Sequence, residues 1–247
     1  MKTLVDDNLS IVIPMHNEAE NVRPFIHEIA NTLRGNINFV IIVVDDGSTD
    51  NTLAQLKLLQ KELPELKIVR HRTNYGQSAG IISGVKAAPH NWVVTLDGDG
   101  QNHPGDILKL VQILNDNSKP FSSPLLVAGI RAERNDNWIR RSSSLIANKI
   151  RGALLRDDCP DTGCGIKAFC REDFLNLPYF DHVHRFLPAL FKRNGGKIMN
   201  VPVQHRPRIH GRSKYGIANR LWVGIVDLLG VVWLVRRPCQ PEIDTNV

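Results

Sequence analysis

Apolar residues fall in short continuous blocks through the first half of the chain, and each block ends abruptly in polar, turn-forming residues. The blocks at 9–14 (LSIVIP), 39–44 (FVIIVV), 66–70 and 92–96 (WVVTL) are rich in β-branched residues and read as strands. Between them, 18–34, 50–62, 77–87 and 105–115 carry apolar positions at helical spacing. Strands that are apolar on both faces and alternate with helices predict a mostly parallel sheet flanked by helices on both sides. LLVAGI at 125–130 is expected to continue the sheet. Asp50 is placed to cap the second helix, and Pro104 sits where a helix start loses nothing by its missing N–H. Past residue 130 the pattern turns helical and basic. Helices are predicted over 138–155 and 181–194, a strand over 197–203 (KIMNVPV), then a polar loop to Lys214. No repeat or Pro/Ser-rich linker interrupts this order, so the expectation is an α/β domain over 1–214 and a C-terminal extension over 215–247.

The extension holds the longest apolar run, LWVGIVDLLGVVWLV at 221–235. It is short of the roughly 20 residues a membrane span needs, and Asp227 interrupts it. Arg220, Arg236 and Arg237 flank it, and Trp222 and Trp233 stand near its ends. Basic flanks and terminal tryptophans fit an amphipathic helix lying in a membrane interface; a buried C-terminal core helix has the same apolar content. The net charge of +6, from 31 basic and 25 acidic residues, is concentrated in 131–156 and 192–237. Such a surface attracts phospholipid headgroups, phosphorylated substrates or nucleic acid. With three tyrosines and no stacking motif, nucleic acid is not an expected partner. Cys159, Cys164, Cys170 and Cys239 fit neither a zinc pattern nor a disulfide framework, and no signal peptide opens the chain, so a reduced, cytosolic setting is expected.

The chemistry concentrates where strands end. VVTLDGDGQNH at 93–103 delivers Asp97 and Asp99 to the carboxyl end of a strand, where open α/β sheets place their ligands. Residues i and i+2 of a strand point the same way, so both carboxylates can converge on one Mg²⁺ or Mn²⁺, with Gln101 adding an amide oxygen. A polar strand-to-loop turn has the same composition. The first strand ends in IPMHNEAEN without the glycines of a dinucleotide-binding turn, and no G-x-x-x-x-G-K-[ST] loop occurs. Phosphates must therefore be held by a metal and by arginines. Asp46, at the end of the second strand, could accept a hydrogen bond from a base or ribose; 45–50 also reads as a turn with a helix cap.

IPMHNE, VVDDGSTDNT, NYGQSAG and LDGDGQNHP, in this order and spacing, resemble the family 2 glycosyltransferases with a GT-A fold, a Rossmann-like arrangement for nucleotide-diphospho-sugars. RIHGRSKYG resembles the R-x-x-G-x-SK segment of dolichol-phosphate mannosyltransferases and other polyprenyl-phosphate glycosyltransferases, and the likeness runs from residue 9 to residue 216. The resemblance implies that Pro14, His16, Glu18, Val44, Asp46 and Asp97 line the nucleotide pocket and that Asp97, Asp99 and Gln101 hold Mg²⁺ or Mn²⁺. It places Arg131 by the phosphates, with Arg141, Ser144 and Ser213 at the acceptor phosphate. Arg208, Ser213 and Lys214 belong to the segment that closes over the donor diphosphate, and Asp161 falls in a D-x-x-S-G-F-like segment in which Cys164 replaces another small residue. Two departures stand out: His182, His184 and Arg185 occupy a helix where relatives often carry an acid, and Asn200 stands where a glutamate is usual. The activity implied is transfer of mannose, glucose or an amino sugar from a GDP- or UDP-sugar to dolichyl or undecaprenyl phosphate. Metal assists, and an anionic acceptor needs no strong general base. The protein would sit peripherally on the cytoplasmic membrane face, with an integral-membrane partner. The alternative is transfer to a saccharide hydroxyl in cell-envelope polysaccharide or glycolipid synthesis, for which Asp161 is the candidate base.

Overall fold

A computed structural model describes residues 8–117, 123–131, 151–207 and 217–238. The apolar blocks become strands β1 (Leu9–Met15), β2 (Phe39–Asp45), β3 (Leu66–Arg70), β4 (Trp92–Thr95), β5 (Leu125–Arg131) and β7 (Lys197–Val203). A further strand, β6 (Lys167–Cys170), lies between β4 and β5, giving one seven-stranded sheet in the order β3-β2-β1-β4-β6-β5-β7. β6 is antiparallel to both neighbours; the pairs β1–β2, β2–β3, β1–β4 and β5–β7 are parallel. The predicted mostly parallel α/β sheet is thus observed, with one reversed strand.

Helices α1 (Ala19–Leu33), α2 (Thr52–Glu62), α3 (Gln77–Ala87) and α4 (Gly105–Asn117) follow the first four strands. The alternation of side chains along a strand feeds two cores. Ile11, Ile13, Ile41 and Val43 pack with Phe25, Ile29, Leu33 and Leu110 on one face. Val12, Ile42 and Val93 pack with Ile81, Val85, Phe174, Leu190 and Phe191 on the other. Burial on both faces is why these strands read as unbroken apolar runs. α3 lies unusually close to β1: a β-carbon at Gly80 would stand 2.7 Å from the Cβ of Pro14. A helical glycine costs roughly 0.5–1 kcal/mol relative to alanine; here it lets the amino end of α3 reach the carboxyl end of β4.

The predicted helix over 181–194 is broken. His182 takes a left-handed φ of 63°, a 3-10 turn covers Val183–Arg185, and α6 (Leu187–Arg193) starts afresh after the short α5 (Arg171–Leu175). Pro188 has no N–H to give to the preceding turn, which ends any continuous helix through it. Of the helix predicted over 138–155, residues 151–155 are helical and the rest lies outside the described residues. The C-terminal run forms α7 (Ile217–Arg236). Leu228, Val231, Val232 and Val235 of α7 pack against Leu155, Phe180, Phe186 and Ala189. Its other face exposes Val223, Ile225, Val226, Leu229 (61%) and Trp233 (63%). Among the described residues no helix is long and apolar enough to cross a membrane. Asp227 accepts a 2.9 Å bond from Nδ1 of His182, joining α7 to the turn that carries His184 and Arg185.

Candidate active site

The ends of β1 and β2 are stitched together by short polar side chains. Asn17, held at φ 51°, accepts the Thr49 N–H at 2.8 Å and donates its own N–H to Ser48 Oγ at 3.0 Å. Glu18 donates its N–H to Thr52 Oγ1 at 2.8 Å, and its carboxylate accepts from Asn21 at 2.7 Å. Asp50 accepts the Thr52 N–H at 2.9 Å, but the cap position of α2 falls one residue later, on Asn51, whose side chain makes no cap bond, so the expected Asp50 cap is replaced by a turn bond just ahead of the helix. Pro14 rests on Gly80, and Val44 is fully buried in β2. Buried Asp46 anchors the loop into α3: its carboxylate bonds His71 Nδ1 at 2.6 Å and accepts the N–H groups of Tyr75 (2.8 Å) and Gly76 (2.7 Å). Nδ1 of His16 lies 2.8 Å from the Asp46 carbonyl.

That loop delivers Gln77 to the Asp97–Asp99 segment. Gly76, at φ 88°, turns the chain, and Gln77 Nε2 donates to Asp97 Oδ1 at 2.6 Å. β4 ends at Thr95, so the two carboxylates are not side by side on a strand as expected: Asp97 follows in irregular chain and Asp99 sits in the turn after it. The Asp97 N–H is held by Asn102 Oδ1 at 3.1 Å, and Asp99 Oδ1 accepts the Gln101 N–H at 3.2 Å. Glycines make the room: a β-carbon at Gly98 would stand 2.7 Å from the Pro14 carbonyl oxygen, and one at Gly165 would overlap the Asp97 carboxyl group. Gln101 turns its amide nitrogen to the Arg206 carbonyl at 3.1 Å, while Arg206 clamps Glu28 through two 3.0 Å bonds. Among the described residues no group of three His, Cys, Asp or Glu could hold a metal by itself. Two adjacent carboxylates nevertheless suit Mg²⁺ or Mn²⁺, which bind through one or two carboxylates and complete their shell with substrate phosphates.

Beyond β4, Arg131 at the end of β5 grips Asp161 in a bidentate pair, Nε to Oδ2 and Nη2 to Oδ1, each 2.7 Å. Burial acts to lower the Arg131 pKa, but the hydrogen bonds and charge of Asp161 outweigh it and hold the value above the ordinary one. A cavity of about 180 Å³ opens beside Asp97, lined among others by Gln77, Thr162, Cys164, Lys167, His184 and Arg185. Lys167, 3% exposed, donates from Nζ to the carbonyl oxygens of Thr162 (3.1 Å) and Cys164. Nδ1 of His184 lies 2.7 Å from Ser78 Oγ. Burial, helped by the charges of Arg185, Lys167 and His182, pushes the His184 pKa well below its ordinary value, so the ring is neutral. Burial also pushes the Cys164 thiol up to about 11, which keeps it protonated.

The structure therefore gathers Pro14, His16, Glu18, Asp46, Asp97, Asp99, Gln101 and Arg131 along the carboxyl edge of the sheet. Arg141, Ser144, Arg208, Ser213 and Lys214 lie outside the described residues. Asn200 stands apart on β7, donating to the Asp158 carbonyl at 2.7 Å. Sequence reasoning passed over Gln77, Ser78, Gly165 and Lys167. The first two were visible inside NYGQSAG; the others carried no local signal.

Residues 10–177 match the profile of Glycosyl transferase family 2. The chain belongs to this family. Among curated proteins the transferase is similar to the dodecaprenyl-phosphate galacturonate synthase of Rhizobium johnstonii, 33% identical over 238 residues covering 94% of this chain and 69% of the relative. It is also similar to undecaprenyl-phosphate 4-deoxy-4-formamido-L-arabinose transferases of Sodalis glossinidius (31%) and Edwardsiella ictaluri (29%). Each of these matches covers 85% of this chain, which spans 64% and 63% of their lengths, respectively. In three dimensions the transferase resembles glucosyl-3-phosphoglycerate synthase of Mycobacterium tuberculosis, solved with Mn²⁺, UDP and glucosyl-3-phosphoglycerate. The TM-score is 0.67 at 21% identity, over 95% of this chain and 82% of the other. A form of that enzyme solved with Mg²⁺ and UDP gives 0.65 at 19% identity, over 95% and 81%. The GT-A fold of the transferase is thereby shown.

Proposed function

We propose that this transferase moves a sugar from a nucleotide diphosphate sugar to a polyprenyl phosphate at a membrane surface. The observation that carries the reading is the Arg131–Asp161 pair. A saccharide hydroxyl acceptor needs a carboxylate base, and Asp161, the candidate for that task, has both oxygens engaged by Arg131. A phosphate acceptor is already an anionic nucleophile and needs none. The names of the curated relatives, which are polyprenyl-phosphate transferases, agree with this.

Asp97 and Asp99 would hold Mg²⁺ or Mn²⁺, with Gln101 fixing the turn between them and β7. Bound there, the cation would neutralise charge developing on the leaving diphosphate. The protein's own part is to hold its groups in place before reaction. Gln77 orients Asp97; Pro14, His16, Glu18, Val44 and the Asp46-anchored loop shape the nucleotide pocket. Asp161 fixes Arg131, whose guanidinium would meet a phosphate. Arg208 and Lys214 are assigned to the donor diphosphate, and Arg141, Ser144 and Ser213 to the acceptor phosphate. Segment 215–247 serves as the membrane extension: the exposed apolar face of α7 enters the cytoplasmic leaflet peripherally while its other face stays on α6. Movement of the product across the bilayer would fall to an integral-membrane partner.

The test is a transfer assay with undecaprenyl or dolichyl phosphate, Mg²⁺ or Mn²⁺, and labelled GDP- and UDP-sugars. Label should enter the organic phase with one class of donor and vanish with chelator or Asp99→Ala. Transfer to a soluble saccharide with no label in lipid would overturn the proposal.

A further inference from the structure

The order of the strands lays out the donor. The nucleotide residues sit over β2 and β1, the metal carboxylates at the end of β4, and the cavity over β4 and β6, in one line along the sheet edge. With the nucleoside at one end and the diphosphate at the aspartates, the cavity is the place left for the sugar. The register pairs Lys167 with Thr95, two residues before Asp97, so Lys167 is rooted behind the metal carboxylate.

The charge of that cavity is distinctive. Lys167 is buried and meets two neutral carbonyl oxygens. Arg185 also lines the cavity. Among the described residues no carboxylate forms an ion pair with either cation. The acidic side chain in the cavity wall, Asp97, is bonded to Gln77 and backed onto Gly165. Lys167, withdrawn from water without an anionic partner, favours a ligand that brings one, and half-buried Arg185 adds a second positive charge to the same cavity. A guanidinium matches a carboxylate with two parallel hydrogen bonds. His184, its Nδ1 on Ser78, also lines the cavity.

We propose that this cavity selects a donor sugar bearing a carboxylate, a hexuronic acid. Arg185 and Lys167 take the carboxylate, and His184 bonds a neighbouring sugar oxygen. The inference rests on the transferase reading and deepens it, since the relatives' names span one uronic acid and one uncharged formamido sugar. It also explains why basic residues stand in the turn where an acid is usual: an acid there would repel the substrate.

The experiment compares UDP-glucuronate and UDP-galacturonate with UDP-glucose and UDP-galactose, and GDP-mannuronate with GDP-mannose. Both transfer to undecaprenyl phosphate and donor affinity by calorimetry are measured, for the natural protein and Arg185→Gln. Uronates of the preferred nucleotide should lead their neutral partners by about 10- to 100-fold, the worth of one charged hydrogen-bonded contact. Arg185→Gln should collapse that ratio. A ratio taken within one protein is independent of how much of the variant is folded. Equal or better use of neutral sugars overturns the proposal. So does an Arg185→Gln protein with an unchanged sugar ratio and a raised KM for polyprenyl phosphate, which would give these cations to the acceptor. If no donor labels lipid, the transferase reading fails, and the affinity ratio still decides what the cavity holds.

Discussion

Replacing Gly165 with alanine adds one methyl group, and the three atoms nearest to it are the carboxyl carbon and both oxygens of Asp97. Ordinary carbon contact lies near 3.5–4 Å, so the carboxylate must retreat by about 1 Å. It has little freedom to do so smoothly: Gln77 holds Oδ1 at 2.6 Å, and Asn102 holds the Asp97 N–H at 3.1 Å. A misplacement of about 1 Å in a positioned group costs about 100-fold in rate, or roughly 2.7 kcal/mol of transition-state stabilisation. The fold should suffer less, about 1 kcal/mol, as for mild overpacking, because Asp97 borders a cavity. The assay is kcat/KM for transfer beside a thermal melt. The deciding control is a double-mutant cycle with Asp97→Ala. If Gly165 acts through the carboxylate, the alanine at 165 costs almost nothing further once Asp97 is gone. Activity within threefold of the natural protein, or an undiminished cost in the Asp97→Ala background, would refute the reasoning.

Asp161→Asn should lower stability by about 3 kcal/mol in urea unfolding, because it leaves the Arg131 guanidinium half-buried without its anion; a loss under 1 kcal/mol would mean the pair is not formed. His184 has a folded pKa below its unfolded value, so the unfolded chain binds more protons in the window below about pH 6.5. Stability should therefore be independent of this group above that pH and fall as the pH drops through the window, and His184→Gln should flatten the melting-temperature profile there. Leu229→Glu with Trp233→Glu should reduce sedimentation with anionic vesicles by at least about 10-fold, while unfolding shifts by no more than about 0.5 kcal/mol per exposed site. Chelation should abolish transfer and leave the melting temperature unchanged, since an ion held by Asp97 and Asp99 would complete its shell with substrate phosphates and would not tie the core.

The strands were legible because burial on both faces leaves an unmistakable apolar block, as FVIIVV shows in β2. β6 was not: KAFC has four residues, begins with a lysine, and follows a glycine- and cysteine-rich segment with no strand signal. The 181–194 helix misled because its apolar spacing is helical on both sides of Pro188, and spacing does not register a missing N–H. Asp97 and Asp99 could be read as a pair since they are neighbours in sequence. What supports them could not. Gln77 reaches Asp97 across 20 residues and Thr95 Oγ1 reaches the Gly165 carbonyl across 70, and such meetings are set by how α3 and β6 dock. Asp161 shows the same limit in reverse: as a lone aspartate it reads as a possible base, and only its contact with Arg131 shows that both its oxygens are engaged.

The bond from His182 to Asp227 has a practical consequence for anyone trimming or grafting this protein. The C-terminal helix invites removal to make the enzyme easier to handle, or exchange with the tail of a relative to change its address. Either operation strips a carboxylate from the turn that carries His184 and Arg185 and uncovers Phe186 and Ala189 beneath it. A shortened or chimeric chain should therefore be judged as a new enzyme with its own sugar preference, and a negative result obtained with one says nothing about the natural protein.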